Sequence, residues 1–67
     1  MADRYVLTEK GEDYLLDLEK RAMRNTKLYN EVEALVDFRT PWLPEASKLT
    51  SKMLAKYIEE GYLVSFN

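Results

Sequence analysis

A strand-like segment stands at each end of this chain, and this arrangement restricts the possible folds more than any other feature. Residues 4–7 and 62–66 are short runs rich in aromatic and β-branched side chains, which favour strands. An isolated strand would leave its backbone amides and carbonyls without partners, and burying them in that state is costly. The two segments are therefore expected to pair as an antiparallel ribbon in an α+β fold, with the chain ends close together.

The first of three predicted helices follows directly after the N-terminal strand. Thr8 fits a helix N-cap, and Glu9 places a negative charge at the helix N-terminus. The helix is predicted over residues 9–24, and Gly11 is expected to allow close approach of another element. Its buried stripe repeats at helical spacing and consists of Gly11, Tyr14, Leu15, Leu18 and Ala22.

The second helix is predicted from about residue 27 to residue 38, after an interruption at residues 25–26. Tyr29 and Phe38 are expected at the edges of its apolar side. The residues predicted to form its buried stripe are Leu28, Val32, Leu35 and Val36.

The third helix is predicted over residues 44–60, after an irregular link at residues 40–44 that contains two prolines. Pro44 suits the first position of a helix, and Gly61 suits its C-cap. One side of this helix is predicted to be apolar and carries Ala46, Leu49, Met53, Leu54, Tyr57 and Ile58. The whole chain is expected to form a single domain of three helices and one two-stranded ribbon.

Three apolar side chains lie outside these stripes, and each has two explanations. Leu16 and Met23 lie seven residues apart on the first helix, away from its buried stripe. They are either partly covered by another helix or form a contact with a second subunit. Trp42, between two prolines, either closes one end of the core or is an exposed anchor for a partner.

The residue content excludes several classes of site. The 67-residue chain contains no Cys and no His, so it offers no thiolate zinc ligand and no histidine base. We find no catalytic constellation and expect no metal, no cofactor and no enzymatic activity. No apolar run reaches the roughly 20 residues that span a bilayer. We expect a cytoplasmic protein, because the start of the chain also lacks the plan of a signal peptide.

Two junctions resemble those of winged helix-turn-helix DNA-binding domains. Residues 57–64, Tyr-Ile-Glu-Glu-Gly-Tyr-Leu-Val, resemble the passage from a recognition helix into the first wing strand. Residues 4–15, Arg-Tyr-Val-Leu-Thr-Glu-Lys-Gly-Glu-Asp-Tyr-Leu, resemble the passage from the second wing strand into the closing helix of MarR and PadR regulators. In that family the second strand and closing helix come last, and here they come first. The resemblance implies a winged helix circularly permuted at its wing tip, where surface loops tolerate cuts.

This resemblance implies a small DNA-binding protein, a transcriptional regulator that works as a dimer. Residues 47–56 would form the recognition helix and reach phosphates or base edges in the major groove. The implied DNA-binding residues are Ser47, Lys48, Ser51, Lys52, Lys56 and Arg39. A protein-interaction module on the same scaffold, without DNA binding, is the alternative, and the net charge of −2 and pI of about 5.0 favour it.

The basic residues also have an explanation that involves no nucleic acid. Lys48 can pair with Glu45 along the third helix, and Lys56 can pair with Glu59 or Glu60. A basic run at the end of the first helix can offset the negative end of the helix dipole. That run consists of Lys20, Arg21, Arg24 and Lys27.

Overall fold

The structure, a computed structural model, describes residues 3–66 and has three α-helices and two strands in the described part. The elements in chain order are β1 (Arg4–Leu7), α1 (Glu9–Ala22), α2 (Tyr29–Val36), α3 (Ser51–Glu60) and β2 (Leu63–Phe66). Single 3₁₀ turns at Thr26–Leu28, Asp37–Arg39 and Pro44–Ala46 connect the helices. The predicted α+β class and element order are confirmed.

The two terminal strands pair as predicted. β1 and β2 form an antiparallel ribbon in which Arg4 lies opposite Phe66 and Leu7 lies opposite Leu63. The link before α3 adds a contact that the sequence did not indicate. The backbone amide and carbonyl of Tyr5 each bond to Trp42 at 2.9 Å, so residue 42 pairs with the edge of β1 that β2 leaves free. A short third segment therefore widens the ribbon.

The junction between the ribbon and α1 is held by Thr8. Its hydroxyl accepts from the amide of Gly11 at 3.0 Å, which confirms the predicted N-cap. The same hydroxyl donates to the carbonyl of Gly61 at 2.6 Å. Gly61 has a φ of 84°, in the left-handed region that suits glycine, and it ends α3 as predicted. One side chain therefore joins the start of α1 to the end of α3.

Gly11 lies against the backbone of the α3–β2 junction, and this confirms its predicted role in close approach. A Cβ atom placed on Gly11 would lie 2.1 Å from the carbonyl oxygen of Tyr62 and 2.8 Å from Cδ2 of Leu7. These separations are far below van der Waals contact, so only glycine fits there without movement of the backbone.

The core lies between the ribbon and the three helices. It consists of Leu7, Leu15, Leu18, Leu35, Phe38, Tyr57 and Leu63. Two predictions for the second helix are wrong. Phe38, expected at an edge, is 0% exposed, whereas Val36, expected in the buried stripe, is 38% exposed. Phe38, in the 3₁₀ turn at Asp37–Arg39, lies four residues after Ala34 and three after Leu35, so it shares the side of the helix that buries those two residues.

The predicted helix over residues 44–60 is not continuous. A 3₁₀ turn covers Pro44–Ala46, the chain bends, and α3 begins only at Ser51. The Ser47 hydroxyl donates to the carbonyl of Pro44 and accepts from the amide of Leu49, and Thr50 then caps α3. Such hydroxyl bonds to nearby backbone compete with helix continuation. Leu49, Met53 and Leu54 still pack against the core, while Ala46 and Ile58 are exposed.

Candidate interaction surfaces

The residues predicted to bind DNA do not lie on one helix. Ser51, Lys52 and Lys56 are exposed residues of α3. Ser47 and Lys48 lie in the bend that precedes it, and Arg39 ends the 3₁₀ turn after α2. Only residues 51–56 of the predicted recognition segment are helical.

Half of this predicted set is bound within the chain. Lys48 forms an ion pair with Glu33 of α2, and not with Glu45 as the sequence suggested. The hydrogen bond to Glu33 raises the pKa of Lys48. Arg39 lies 2.9 Å from a Glu19 oxygen. The same guanidinium also approaches Glu12, at 3.5 Å. Together with the Ser47 hydroxyl, these contacts engage three of the six side chains and neutralise two of their charges.

Two lysines of α3 remain available to a ligand. Lys52 and Lys56 are exposed, and neither forms an ion pair with any residue from 3 to 66. The predicted pairing of Lys56 with Glu59 or Glu60 is therefore not formed, although both carboxylates lie on the same short helix. The surface of α3 consequently carries charges of both signs.

The exposed apolar side chains on α1 and α2 form a second surface. Met23 is 80% exposed and Leu16 is 51% exposed. Tyr29 of α2, at 47% exposure, lies beside them. A groove of about 390 Å³ runs between the two helices and is lined by Leu16, Glu19, Lys20, Ala22, Met23, Tyr29 and Val32. We call this surface the α1–α2 face.

The ends of the ribbon add a smaller apolar surface. Because strand side chains alternate between faces, Val6, Val64 and Phe66 lie on the same side of the ribbon, together with Arg4. Val64 and Phe66 are about half exposed. Trp42 is 38% exposed and lines a shallow cleft with Arg4, Leu43 and Ala46. Trp42 is thus neither fully buried in the core nor fully exposed, and the pairing of its backbone with Tyr5 fixes its position.

A cluster around Glu31 was not anticipated. The hydroxyls of Tyr14, on α1, and Tyr57, on α3, both donate to the Glu31 carboxylate on α2. The ring of Tyr62 stacks on Tyr14 with a centroid separation of 4.4 Å. Burial, followed by the bond to Glu31, raises the pKa of Tyr57 far above its usual value, and the pKa of Tyr14 also rises. This cluster links all three helices and has a structural role.

Comparison with known proteins gives no family assignment. No protein-family model, curated protein or solved structure matches this chain. Within residues 3–66, no group of three acidic side chains converges as a metal site would require, and none of the helices has the length and apolarity to cross a membrane.

Proposed function

We propose that this domain is a cytoplasmic protein-interaction module that binds its partner through the α1–α2 face. The observation that carries the proposal is the exposure of Met23 and Leu16 beside an apolar groove. Contiguous exposed apolar surface is uncommon on small monomeric proteins and marks sites of association. Methionine suits such a surface, because its flexible side chain adapts to a partner.

The distribution of charge supports a protein partner over nucleic acid. The chain has a net charge of −2. Lys48 and Arg39, which the DNA hypothesis needs, are paired with carboxylates of the same chain. A DNA-binding surface requires basic side chains that can replace the counterions of the phosphates. On α3 itself, the two lysines without an ion pair to any of residues 3–66, Lys52 and Lys56, share a short helix with Glu59 and Glu60.

DNA binding is the second candidate, and a specific observation favours it. Lys52 and Lys56 lie four residues apart on the exposed side of α3 and make no ion pair within the described chain. The element order, together with the paired terminal strands, agrees with the permuted winged helix proposed from the sequence. In that arrangement α3 is the recognition helix. Fold resemblance alone does not decide between the two functions.

Site-specific photo-cross-linking in the native cells separates these two functions. A benzophenone amino acid replaces Tyr29 on the α1–α2 face, and in a control chain it replaces Ala55, an exposed residue of α3. We expect the position-29 probe to form a covalent adduct with a protein and the position-55 probe to form none. Adding Met23→Glu to the position-29 chain should remove the adduct.

Other results would contradict the proposal. An adduct with nucleic acid at position 55, and none at position 29, supports the DNA candidate instead. Absence of any protein adduct at position 29 contradicts the protein-interaction proposal.

A further inference from the structure

We infer that the α1–α2 face binds a second copy of this chain, with the two α1 helices antiparallel across a twofold axis. This inference rests on the proposed function and names its partner. An isologous contact of this kind requires a surface that is complementary to itself. The charge order, the apolar spacing and the unpaired side chains of α1 together meet this requirement.

The charges of α1 and the turn after it are divided by position. Acidic residues predominate on the N-terminal side, where Lys10 is the one cation of α1 before Lys20, and basic residues run from Lys20 through the turn. Antiparallel pairing therefore places the acidic half of one copy against the basic half of the other. The helix dipoles also oppose each other favourably in this orientation. The acidic set is Glu9, Glu12, Asp13, Asp17 and Glu19, and the basic set is Lys20, Arg21, Arg24 and Lys27.

Two exposed apolar residues, Leu16 in α1 and Met23 directly after its end, are centred on the point where the charge changes sign. Leu16 and Met23 lie at equal distances from the midpoint between residues 19 and 20, where the acidic half gives way to the basic half. A twofold axis through that midpoint places Leu16 of each copy opposite Met23 of the other. Seven residues correspond to about two helical turns, so both side chains lie on nearly the same side of the helix.

Several charged side chains near Leu16 and Met23 form no ion pair with another residue of the described part of the chain. Asp13 is exposed and forms no ion pair with any residue between 3 and 66, and the same holds for Arg24 and Lys27. Because α1 ends at Ala22, Arg24 lies in the turn directly after it and Lys27 in the 3₁₀ turn that follows, at the end of α1 that antiparallel pairing brings beside Asp13 of the other copy. We expect each Asp13 to approach these two cations across the contact. The groove beside Met23, bordered by Tyr29 and Val32 of α2, receives the side chains that project from the partner helix.

Charge reversal combined with mixing tests this geometry. One variant carries Asp13→Lys, and the other carries Arg24→Glu with Lys27→Glu. A homodimer of either variant brings like charges together at both ends of the contact. A heterodimer of the two variants places opposite charges at both ends again. By sedimentation equilibrium we expect the wild-type chain to dimerise, each variant to dissociate about tenfold more readily, and the equimolar mixture to recover the wild-type affinity.

Two controls keep the test interpretable. Met23→Glu places a charge at the centre of the apolar contact and should abolish dimerisation in every combination. Because Asp13, Arg24, Lys27 and Met23 are exposed, each variant should retain the wild-type circular dichroism spectrum. A variant that loses this spectrum is replaced by its neutral counterpart, Asp13→Asn or Arg24→Gln with Lys27→Gln, which should weaken the dimer by a smaller factor.

The possible outcomes separate the inference from the proposed function. A wild-type chain that stays monomeric overturns the inference, as does a dimer that is indifferent to the charge reversals or not restored by mixing. If the chain stays monomeric but the position-29 probe captures a different protein, the proposed function stands and the second copy is excluded as partner. If the probe captures nothing, the proposed function fails as well.

Discussion

Gly11→Ala is expected to lower the free energy of unfolding by at least about 2 kcal/mol, although alanine is the better helix former. The added Cβ would lie 2.1 Å from the Tyr62 carbonyl oxygen, which belongs to the backbone and cannot rotate away. This steric clash can be relieved only if α1 moves away from the α3–β2 junction. That movement would also strain the hydrogen bond from Thr8 to the Gly61 carbonyl. The loss of stability should therefore include part of the contact between the start of α1 and the end of α3.

Urea unfolding followed by circular dichroism measures this effect. The matched control is Ala55→Gly, the reverse exchange at an exposed position of α3, which should cost about 1 kcal/mol through helix propensity alone. A Gly11→Ala chain as stable as the wild type, or more stable, would show that α1 does not approach the junction as described.

Raising the pH above 10 is expected to destabilise the fold steeply through Tyr57. Its pKa in the folded chain lies well above the ordinary value of 10.0, because burial and the bond to Glu31 disfavour the phenolate. The folded state therefore keeps a proton that the unfolded state releases. The resulting stabilisation is fully present below pH 10 and declines as the pH rises. Each pH unit beyond that point costs about 1.4 kcal/mol for this one group.

Unfolding free energies between pH 8 and pH 12 test this expectation, with Tyr57→Phe as the control because it has no phenol to ionise. The control should be less stable at pH 8, having lost the Glu31 bond, and should show a shallower decline. Absorbance at 295 nm gives a second readout, since Tyr57 should ionise only on unfolding. Equal slopes for both chains would contradict the buried tyrosine network.

Local signals were sufficient to predict the start of the first helix and the end of the third. Thr8 and Gly61 were assigned as caps from their positions beside apolar periodic segments, and both predictions are confirmed. The pairing of the terminal strands was also predictable, because two lone strands in one small chain have few other ways to satisfy their backbone groups.

Features set by tertiary packing were not predictable from periodicity. Phe38 enters the core because Ala34 and Leu35, four and three residues before it, lie on the side of the helix that tertiary packing buries, whereas the predicted stripe also included the exposed Val36. The break before α3 depends on the Ser47 hydroxyl bonds, whereas the apolar repeat continues across the break without interruption.

The sequence contained a signal for the Glu31 cluster that was overlooked. Glu31 lies three residues after Leu28 and four before Leu35, within the predicted buried stripe, where a carboxylate needs partners. Tyr14 and Tyr57 also lie in buried stripes and supply those partners. The ion pairs of Lys48 and Arg39 had no such signal, since their acidic partners lie fifteen or more residues away in sequence.

The candidate site was predicted in part. The sequence identified Leu16 and Met23 as lying outside the buried stripe and offered either cover by another helix or a subunit contact. In the structure Met23 is 80% exposed and Leu16 is 51% exposed, and Tyr29 and Val32 of α2 form the other wall of the groove beside them. These two residues lie there because α2 packs beside α1, and the spacing of apolar residues within one helix does not show which helix packs beside it.

Solvent accessibility of the methionine methyl groups tests most directly whether the α1–α2 face binds a protein. Met23 is highly exposed on that face, whereas Met53 is half-buried beside the core. With ¹³C-methyl labels and a soluble gadolinium probe, NMR relaxation is compared between the dilute chain and the complex it forms in its native cells. We predict that relaxation enhancement at Met23 falls several-fold in the complex and that Met53 is unchanged. A Met23 methyl that remains equally accessible in that complex would contradict the account.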